Sequence, residues 1–434
     1  MYPSPAWNRR LMALAISSLL FVACSSAAPP TTQPAAAQKI TIAAIADPAV
    51  SPMRNMITDG LAEADLGIQV EWVDHTFGGL YDKVTQGGPT ADFDLYMMDD
   101  PWVPAFALAG SIADLESLGY VPDAGFVPAT LELGYWPPHE GARVPGIDSS
   151  APPRLYTLPI IGDTQLFFYR KDLIDQPPDT WDDVRALASQ ADPANKRYLL
   201  AMRGVAGNPI VTEWFPYLYS FGGEMFDDQW NVSFNSPAGV AALQLFLDLK
   251  QYQPAGVENF DAPEQGACYL SGQCMMNIEW TGYILLAEDP AGSQVVGKTG
   301  WTIPPKQERH ASELGNFVMG IAAGSQNKPA ALKFLQWFTS DATQREFARR
   351  RGVPVRTAVF SDPELQQQFP WLPTVQSALS NGVARPRTPE WAKVEEILGA
   401  QLHRAVVGEV GASAALDTAA QEVTAYLSSK GYYK

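Results

Sequence analysis

Short apolar runs alternate along the first part of the chain with segments whose apolar residues recur every three or four positions. The runs 40–46, 68–74 and 94–98 predict strands, because their residues are mostly apolar or alternate with polar ones. Residues 53–64 carry their apolar side chains on one helical face and predict a helix, and shorter helices are predicted after the next two strands. This β-α-β-α-β-α order predicts a largely parallel sheet flanked by helices, with ligands bound beyond the carboxyl ends of the strands.

A change in residue composition in the middle of the chain indicates a second lobe. Residues 137–153 are rich in proline, glycine and serine and predict a loop. Two extended segments then surround Asp163, and Thr180 and Asp183 have the spacing of a helix capping box. We therefore predict an α/β protein of two lobes that are joined near Asp163.

The N-terminus predicts export from the cytoplasm. Two cationic residues in the first ten positions precede an apolar stretch that is too short to span a bilayer and that ends at Cys24. The arrangement resembles a bacterial lipoprotein signal, which implies that 1–23 is a signal peptide and that Cys24 is lipidated and becomes the mature N-terminus. Phe21 departs from the aliphatic residue usual in that motif, and an ordinary signal peptide cleaved near Ala23 is the alternative.

The segment after this signal predicts a flexible tether. Residues 24–38 contain no charged and no large apolar side chain, so they cannot bury enough surface to offset the entropy lost on ordering. Together with a lipid at Cys24, the tether would hold a globular body at the outer face of a membrane. The body itself contains no further long apolar run and is expected to be soluble.

The composition and net charge disfavour some classes of binding partner for this globular body. The 434-residue chain has 46% hydrophobic and 18% charged residues, which is ordinary for a globular protein. Acidic residues exceed basic ones by 17, and removal of the signal peptide with Arg9 and Arg10 raises the excess to 19. Nucleic acid and anionic lipid surfaces are therefore poor partners.

The two cysteines of the body, Cys268 and Cys274, are expected to form a disulfide in an oxidising compartment. Closing so small a loop would contribute about 2 kcal/mol by pinning a local turn. Buried free thiols are the alternative. The four histidines show no metal-ligand spacing, so we expect neither a metal site nor a cofactor.

Several longer motifs resemble the extracellular solute-binding proteins of ABC importers, in particular the large family that binds sugars, polyols and oligosaccharides. The resemblance covers nearly the whole body and rests on the joint order and spacing of the motifs. They are YDKVTQGG (81–88), DFDLYMMDDPWVPAFALAGSIADL (92–115), LYTLPIIGDTQLFFYRKDL (155–173), YSFGGEMFDD (219–228), FNSPAGVAALQ (234–244), YLSGQCMMNIEWTGY (269–283), GNFVMGIAAGSQNKPAALKFLQWFTS (315–340) and RGVPVR (351–356).

This resemblance implies a fold like that of the type II periplasmic binding proteins, with two α/β lobes, three chain crossings and a ligand cleft between the lobes. The implied crossings lie near 160–163, 313–317 and 352–356. The implied lobes are 39–160 plus 316–354, and 161–315 plus 355–434. Such a protein would work outside the cytoplasm as a monomer, close on its ligand, and deliver it to the transmembrane subunits of an ABC permease.

A sugar or polyol site needs aromatic planes for the C–H faces of the ligand and charged or amide groups for its hydroxyls. Residue type and family position make nine residues candidates: Asp99, Asp100, Trp102, Asp163, Trp214, Trp280, Asn316, Arg356 and Trp391. Structural roles are the alternative for several of them. Asp100 could cap a helix, Trp102 and Trp214 could be core residues, and Arg356 could pair with a neighbouring acid.

Two other functions stay open on sequence alone. A secreted glycoside hydrolase could use paired carboxylates in an aromatic cleft, but Asp99 and Asp100 are neighbours in sequence and no other catalytic motif accompanies them. The same fold could also bind a polyamine or another small solute. A polyamine would need several carboxylates that converge in the cleft.

Overall fold

The structure is a computed structural model, and it describes residues 38–90 and 92–433. The predicted signal peptide, Cys24 and the tether up to residue 37 lie outside these residues. Within the two described segments, no helix combines the length and the apolarity that crossing a membrane requires.

The strands of the described segments are short. They are β1 (Gln38–Ile45), β2 (Ile68–His75), β3 (Leu95–Asp99), β4 (Tyr135–Trp136), β5 (Arg154–Leu155), β6 (Thr157–Ile161), β7 (Gln165–Arg170), β8 (Met276–Trp280), β9 (Thr299–Thr302), β10 (Glu313–Leu314), β11 (Phe317–Ile321) and β12 (Val383–Ala384).

Helices dominate the second half of the chain. In the described residues they are α1 (Ser51–Thr58), α2 (Leu61–Leu66), α3 (Phe77–Gly87), α4 (Val103–Leu108), α5 (Pro128–Glu132), α6 (Trp181–Leu187), α7 (Asn208–Ser220), α8 (Pro237–Leu249), α9 (Ala262–Leu270), α10 (Tyr283–Ala287), α11 (Lys328–Phe338), α12 (Asp341–Arg349), α13 (Thr357–Phe360), α14 (Pro363–Gln368), α15 (Leu372–Ser380), α16 (Trp391–Val406) and α17 (Ala412–Ser429).

The larger sheet has five strands in the order β2-β1-β3-β11-β6. β1 pairs in parallel with β2 and β3, which confirms the pairing predicted for the first part of the chain. β11 is antiparallel to both β3 and β6, so the sheet is mixed. The reason is that β11 begins at the edge where these strands end, with Phe317 opposite Asp99 and Ile161, and must run the other way.

The smaller sheet has three antiparallel strands in the order β8-β7-β9. Successive side chains of β7 point to opposite faces, and they enter two different cores. Leu166 and Phe168 belong to the core around the larger sheet, whereas Phe167 belongs to a second core with α7, α8, α16 and α17. The central strand β7 therefore joins the two cores.

The chain passes between the two sheets after β6 and again after β9. It leaves the larger sheet after β6 and enters the smaller one at β7, and it returns from β9 through β10 to β11. Beyond 352–356, α13 to α15 still pack on the first core through residues such as Val359 and Val375. Fully buried residues of the second core follow again from Trp391 onward. The lobe boundaries stay a prediction.

Of two local features predicted from the sequence, the capping box at Thr180 is present and the helix over 53–64 is divided in two. The capping box is confirmed, because the Thr180 hydroxyl accepts from the Asp183 N–H and the Asp183 carboxylate accepts from the Thr180 N–H. The helix predicted over 53–64 was wrong in its length. Gly60 adopts φ 79°, a left-handed conformation that ends α1 and starts α2, while both helices bury the same apolar side.

Cys268 and Cys274 are joined by a disulfide, with their Cα atoms 5.3 Å apart. The bond links the last turn of α9 to the segment just before β8. It closes a local loop and does not connect the two cores over a long distance.

We predict that Phe167→Ala will lower the free energy of unfolding by about 3–5 kcal/mol, because it leaves a cavity beside Trp181 in the second core. Urea denaturation of the variant and the parent protein measures the difference. Val121→Ala is the control, since the Val121 side chain is 79% exposed and its loss should change stability by less than about 0.5 kcal/mol. Equal effects of the two substitutions would contradict the assignment of β7 to a packed interior.

Candidate functional site

A cavity of about 620 Å³ lies between the two sheets. The larger sheet contributes Ile45 and Asp99, at the carboxyl ends of β1 and β3, and Phe317 at the start of β11. The smaller sheet contributes Trp280 at the end of β8, and α9 and α10 complete this side. These residues share one edge because β1 and β3 run toward it and β11 runs away from it.

Asp163 follows β6 and lies in the cavity wall, 4% exposed. Its Oδ1 accepts hydrogen bonds from the N–H groups of Thr164 and Thr281, both at 3.0 Å, and from the Thr281 hydroxyl. Burial raises the pKa of Asp163 to about 8, and the nearby charge of Asp47 adds to this rise while the hydrogen bonds oppose it. Asp163 thus ties the crossing after β6 to the turn that follows Trp280.

Asp47 brings a second carboxyl group to the wall from the end of β1. Its Oδ1 accepts from the N–H of Ala49 at 2.8 Å and so caps the short 3-10 helix Pro48–Val50. The side chain is half-buried and lines the cavity. Desolvation raises the pKa of Asp47, against the lowering effects of this hydrogen bond and of Arg203.

A buried ion network borders the cavity beside β3. The Arg385 guanidinium donates two hydrogen bonds to Asp99, at 2.5 and 2.7 Å, and one to Asp100 at 3.1 Å. Its Nε lies 3.0 Å from Oε1 of Glu313 in β10. Arg385 is only 2% exposed, so these carboxylates replace the water that its charge lost on folding.

The same network continues away from the cavity through Arg387. This guanidinium donates to the backbone carbonyls of Asp100 and Leu133, at 2.7 and 2.5 Å. Desolvation raises the pKa of Asp100 to about 6 in spite of Arg385, and it also raises the pKa of Glu313. The network thus contains three carboxyl groups, of Asp99, Asp100 and Glu313, and two guanidinium groups, of Arg385 and Arg387.

Arg203 lines another part of the wall. Its Nε and Nη2 donate to Asp261 at 3.2 and 3.1 Å, and its Nη1 donates to the Thr212 hydroxyl at 3.0 Å. Behind it lies Glu213, which accepts from the Gln265 amide at 3.0 Å. Burial raises the pKa of Glu213 to about 8, against the lowering effect of Arg203. These contacts hold the Arg203 guanidinium in one orientation.

Aromatic rings supply the apolar part of the lining: Phe77, Trp280, Tyr283 and Phe317. The indole of Trp280 lies directly on Gly315, where any Cβ would overlap the ring. Across the cavity, Ala49 touches Gly282, and a Cβ at Gly282 would lie 3.1 Å from that of Ala49. The segments that follow β1 and β8 are therefore in direct contact, and both line the cavity.

Three of the nine predicted site residues line the cavity: Asp99, Asp163 and Trp280. Two more are buried next to lining residues. Asp100 bonds to Arg385, and the Asn316 amide, between Gly315 and Phe317, has no hydrogen-bond partner in the part of the chain that the structure describes.

The other four predicted residues do not line the cavity. Trp102 packs edge-on against Phe77, at a centroid distance of 4.7 Å, and so supports the wall from behind. Trp214 and Trp391 are buried in the second core. Arg356 pairs with two aspartates, both at 2.7 Å, and stacks on an aromatic ring. Their contacts correspond to the structural alternatives of core packing and ion pairing.

Seven charged or aromatic lining residues were not among the nine candidates, namely Asp47, Phe77, Arg203, Asp261, Tyr283, Phe317 and Arg385. Asp47 has the same position at the end of a strand as Asp99, and that signal could have found it. Arg385 pairs with Asp99 from 286 positions away, and Arg203 pairs with Asp261 from 58 positions away. No local motif marks such pairs. In the two described segments, no group of His, Cys, Asp and Glu is arranged to hold a metal ion.

Comparison with known proteins gives consistent results. A family model for bacterial extracellular solute-binding proteins matches residues 43–345. A probable amino-acid ABC transporter periplasmic-binding protein of Sinorhizobium fredii is 29% identical over 388 residues, which are 85% of this chain and 85% of that protein. A mannitol-binding protein of Pseudomonas aeruginosa is 26% identical over 309 residues, 64% of this chain and 71% of that protein.

A solved structure agrees with the described architecture. The crystal structure of an ABC transporter solute-binding protein from Agrobacterium radiobacter, in complex with ribitol, matches with a TM-score of 0.76 at 26% identity. The match covers 89% of this chain and 98% of that one.

We predict that the free energy of unfolding falls between pH 5.5 and pH 8.5. Burial raises the pKa of Asp163 and Glu213 to about 8 and of Glu395 to about 7, so the folded protein binds more protons than the unfolded chain in this range. The stability that these groups contribute is fully present below about pH 4 and is lost as the pH rises through the raised pKa values. Urea denaturation at several pH values measures the slope.

Glu213→Gln should make this slope less steep, by up to about 1.4 kcal/mol per pH unit, because one titrating group is removed. Asp175→Asn, at an exposed position, serves as the control and should leave the slope unchanged. A stability that rises from pH 5.5 to pH 8.5 would show that the buried carboxyls do not have raised pKa values.

Proposed function

The chain belongs to the bacterial extracellular solute-binding proteins, and we propose that it captures a sugar or a polyol in its cavity and delivers it to an ABC permease. The family match spans most of the chain, and the architecture is that of the type II periplasmic binding proteins. It is the solute-binding component of an ABC transporter and acts outside the cytoplasm.

The observation that carries the proposal is the lining of the cavity. Aromatic rings such as Trp280 offer flat apolar surfaces, while Asp99, Asp163 and Arg203 place charged hydrogen-bonding groups beside them. A ligand with C–H faces and a rim of hydroxyls matches that combination. The volume of about 620 Å³ is within the usual range of small-molecule sites. The mannitol-binding relative and the ribitol complex support a polyol or a sugar of similar size.

Two lobes that close on the ligand are part of the proposal. We retain 39–160 plus 316–354 and 161–315 plus 355–434 as the lobes, with α13 to α15 packed on the first lobe near their junction. Closure is favoured only by a ligand that contacts both lobes. Asp47 and Asp99 on one side and Asp163 and Trp280 on the other could supply such contacts.

We further propose that the protein is a monomer, is anchored by a lipid at Cys24, and does not catalyse a reaction. The relatives described above are binding proteins. The carboxylate pair that the sequence offered for glycoside hydrolysis, Asp99 and Asp100, is not free for that reaction, because Arg385 donates to both oxygens of Asp99 and to one of Asp100.

Ligand binding should raise the melting temperature of the purified protein, because the ligand binds only the folded state. A panel of polyols, monosaccharides and oligosaccharides at millimolar concentration tests this by thermal denaturation. At a ligand concentration of 100 times Kd, the stabilisation should be about 2.7 kcal/mol. A protein that responds to amino acids alone, and to no member of the panel, would contradict a sugar or polyol ligand.

Trp280→Ala should abolish this ligand-induced rise, because it removes an aromatic face from the cavity wall. Trp337→Ala is a matched control, since Trp337 is also half-buried but lies on α11 and bonds to Asp65 away from the cavity. The control should keep the ligand response even if its own melting temperature falls.

Replacing the lipidation site tests the anchor. Cys24→Ala should move the protein from the membrane fraction to the soluble fraction of cells, because it removes the thiol that would carry the lipid, and Ser26→Ala should not. A parent protein found only in the soluble fraction would favour the ordinary signal peptide instead.

A further inference from the structure

Asp47 and Asp163 differ from the other acids of the cavity wall in having no cation at ion-pair distance within the described residues. Of the other two acidic lining residues, Asp99 is paired with Arg385 and Asp261 is paired with Arg203. The unpaired carboxyls belong to two segments in contact: Asp47 accepts from the N–H of Ala49, Ala49 touches Gly282, and the N–H of the adjacent Thr281 donates to Asp163. The cavity wall therefore contains two carboxyl groups that have no cation in direct contact among the described residues.

The two unpaired carboxyl groups are held in the same way. In each, Oδ1 accepts hydrogen bonds from the protein: from Ala49 for Asp47, and from Thr164 and Thr281 for Asp163. In each, Oδ2 accepts no hydrogen bond from any described residue, although both side chains line the cavity. Oδ2 of each carboxyl group is thus held in position and can accept a hydrogen bond from a ligand in the cavity.

The arginines of the wall are not available to these carboxyls. The Arg385 guanidinium contacts Asp99, Asp100 and Glu313. All three nitrogens of the Arg203 guanidinium donate to Asp261 or Thr212. Since these arginines pair with other acids, a cation in direct contact with Asp47 or Asp163 would have to come from the ligand.

Desolvation makes such a charge favourable. A carboxylate without a counter-ion is expensive in a site of low polarity, so it takes up a proton or binds a cation. The raised pKa values of Asp47 and Asp163 express this cost for the empty cavity. The rings of Trp280 and Tyr283 line the same cavity, and aromatic faces also attract cations.

We propose that the ligand carries a protonated amine in addition to its hydroxyls, as an amino sugar or an amino polyol does. The ammonium group would donate to Oδ2 of Asp47 and of Asp163, while the hydroxyls contact the rest of the wall. This inference rests on the proposed function and specifies its ligand class. Binding through ionised Asp163 would release a proton near neutral pH.

Matched pairs of ligands test the inference with the purified protein. D-glucosamine is compared with D-glucose and with N-acetyl-D-glucosamine, and 1-amino-1-deoxy-D-sorbitol with D-sorbitol, by thermal denaturation and isothermal titration calorimetry. We expect the amine of at least one pair to bind at least tenfold more tightly than its neutral partners at pH 7. Titration in buffers with different ionisation enthalpies should show proton release for the amine and not for the neutral partner.

Substitution of the two carboxyls assigns the effect to the site. Asp163→Asn and Asp47→Asn should each weaken binding of the amine at least tenfold more than they weaken binding of its neutral partner. Asp175→Asn makes the same change of charge at an exposed position and should keep the preference. Proper folding of each variant is checked by its circular dichroism and by a cooperative thermal unfolding transition.

The outcomes separate this inference from the proposed function. Neutral sugars or polyols that bind as tightly as the amines, with unchanged preference in the two variants, would overturn the inference and leave the proposed function intact. A response to spermidine but to no sugar, polyol or amino derivative would overturn both, because the ligand would then have no hydroxyls.

Discussion

The buried guanidinium of Arg385 is the interaction on which the geometry of the cavity depends. It joins the end of β3 at Asp99, the strand β10 at Glu313, and the segment after β12 that contains Arg385 itself. A buried ion without its partners destabilises a protein strongly, so these segments cannot separate independently. The bidentate bond also fixes the plane of the Asp99 carboxylate, and thereby one wall of the cavity.

Desolvation has a different consequence elsewhere in the same cavity. Asp163 and Asp47 lack a cationic partner among the described residues, and their pKa values are raised, whereas Asp99 is held by Arg385. Hydrogen bonds to one oxygen fix each of these two side chains before any ligand arrives. Such preorganisation reduces the entropy lost on binding, which is a large part of the free energy that binding has to overcome.

Close packing onto two glycines determines the shape of the cavity. Trp280 lies on Gly315, and Ala49 touches Gly282, so the aromatic wall and the contact between the two sides both need a residue without a side chain. Both glycines lie in connections that follow strands of the smaller sheet or of its neighbour β10. A side chain at either glycine would therefore displace the segments that line the cavity.

The sequence by itself determined the order of the early strands, the capping box at Thr180, the α/β class and, through motif order, the family. These features depend on residues within a few positions of each other, or on a pattern that persists along the chain. Tertiary structure alone decided that β11 runs antiparallel, that Trp214 and Trp391 enter the second core, and that Arg385 meets Asp99 across 286 positions. The physical reason is that periodicity shows which face of a helix or strand is buried. Only the packed fold shows which residues lie against that face.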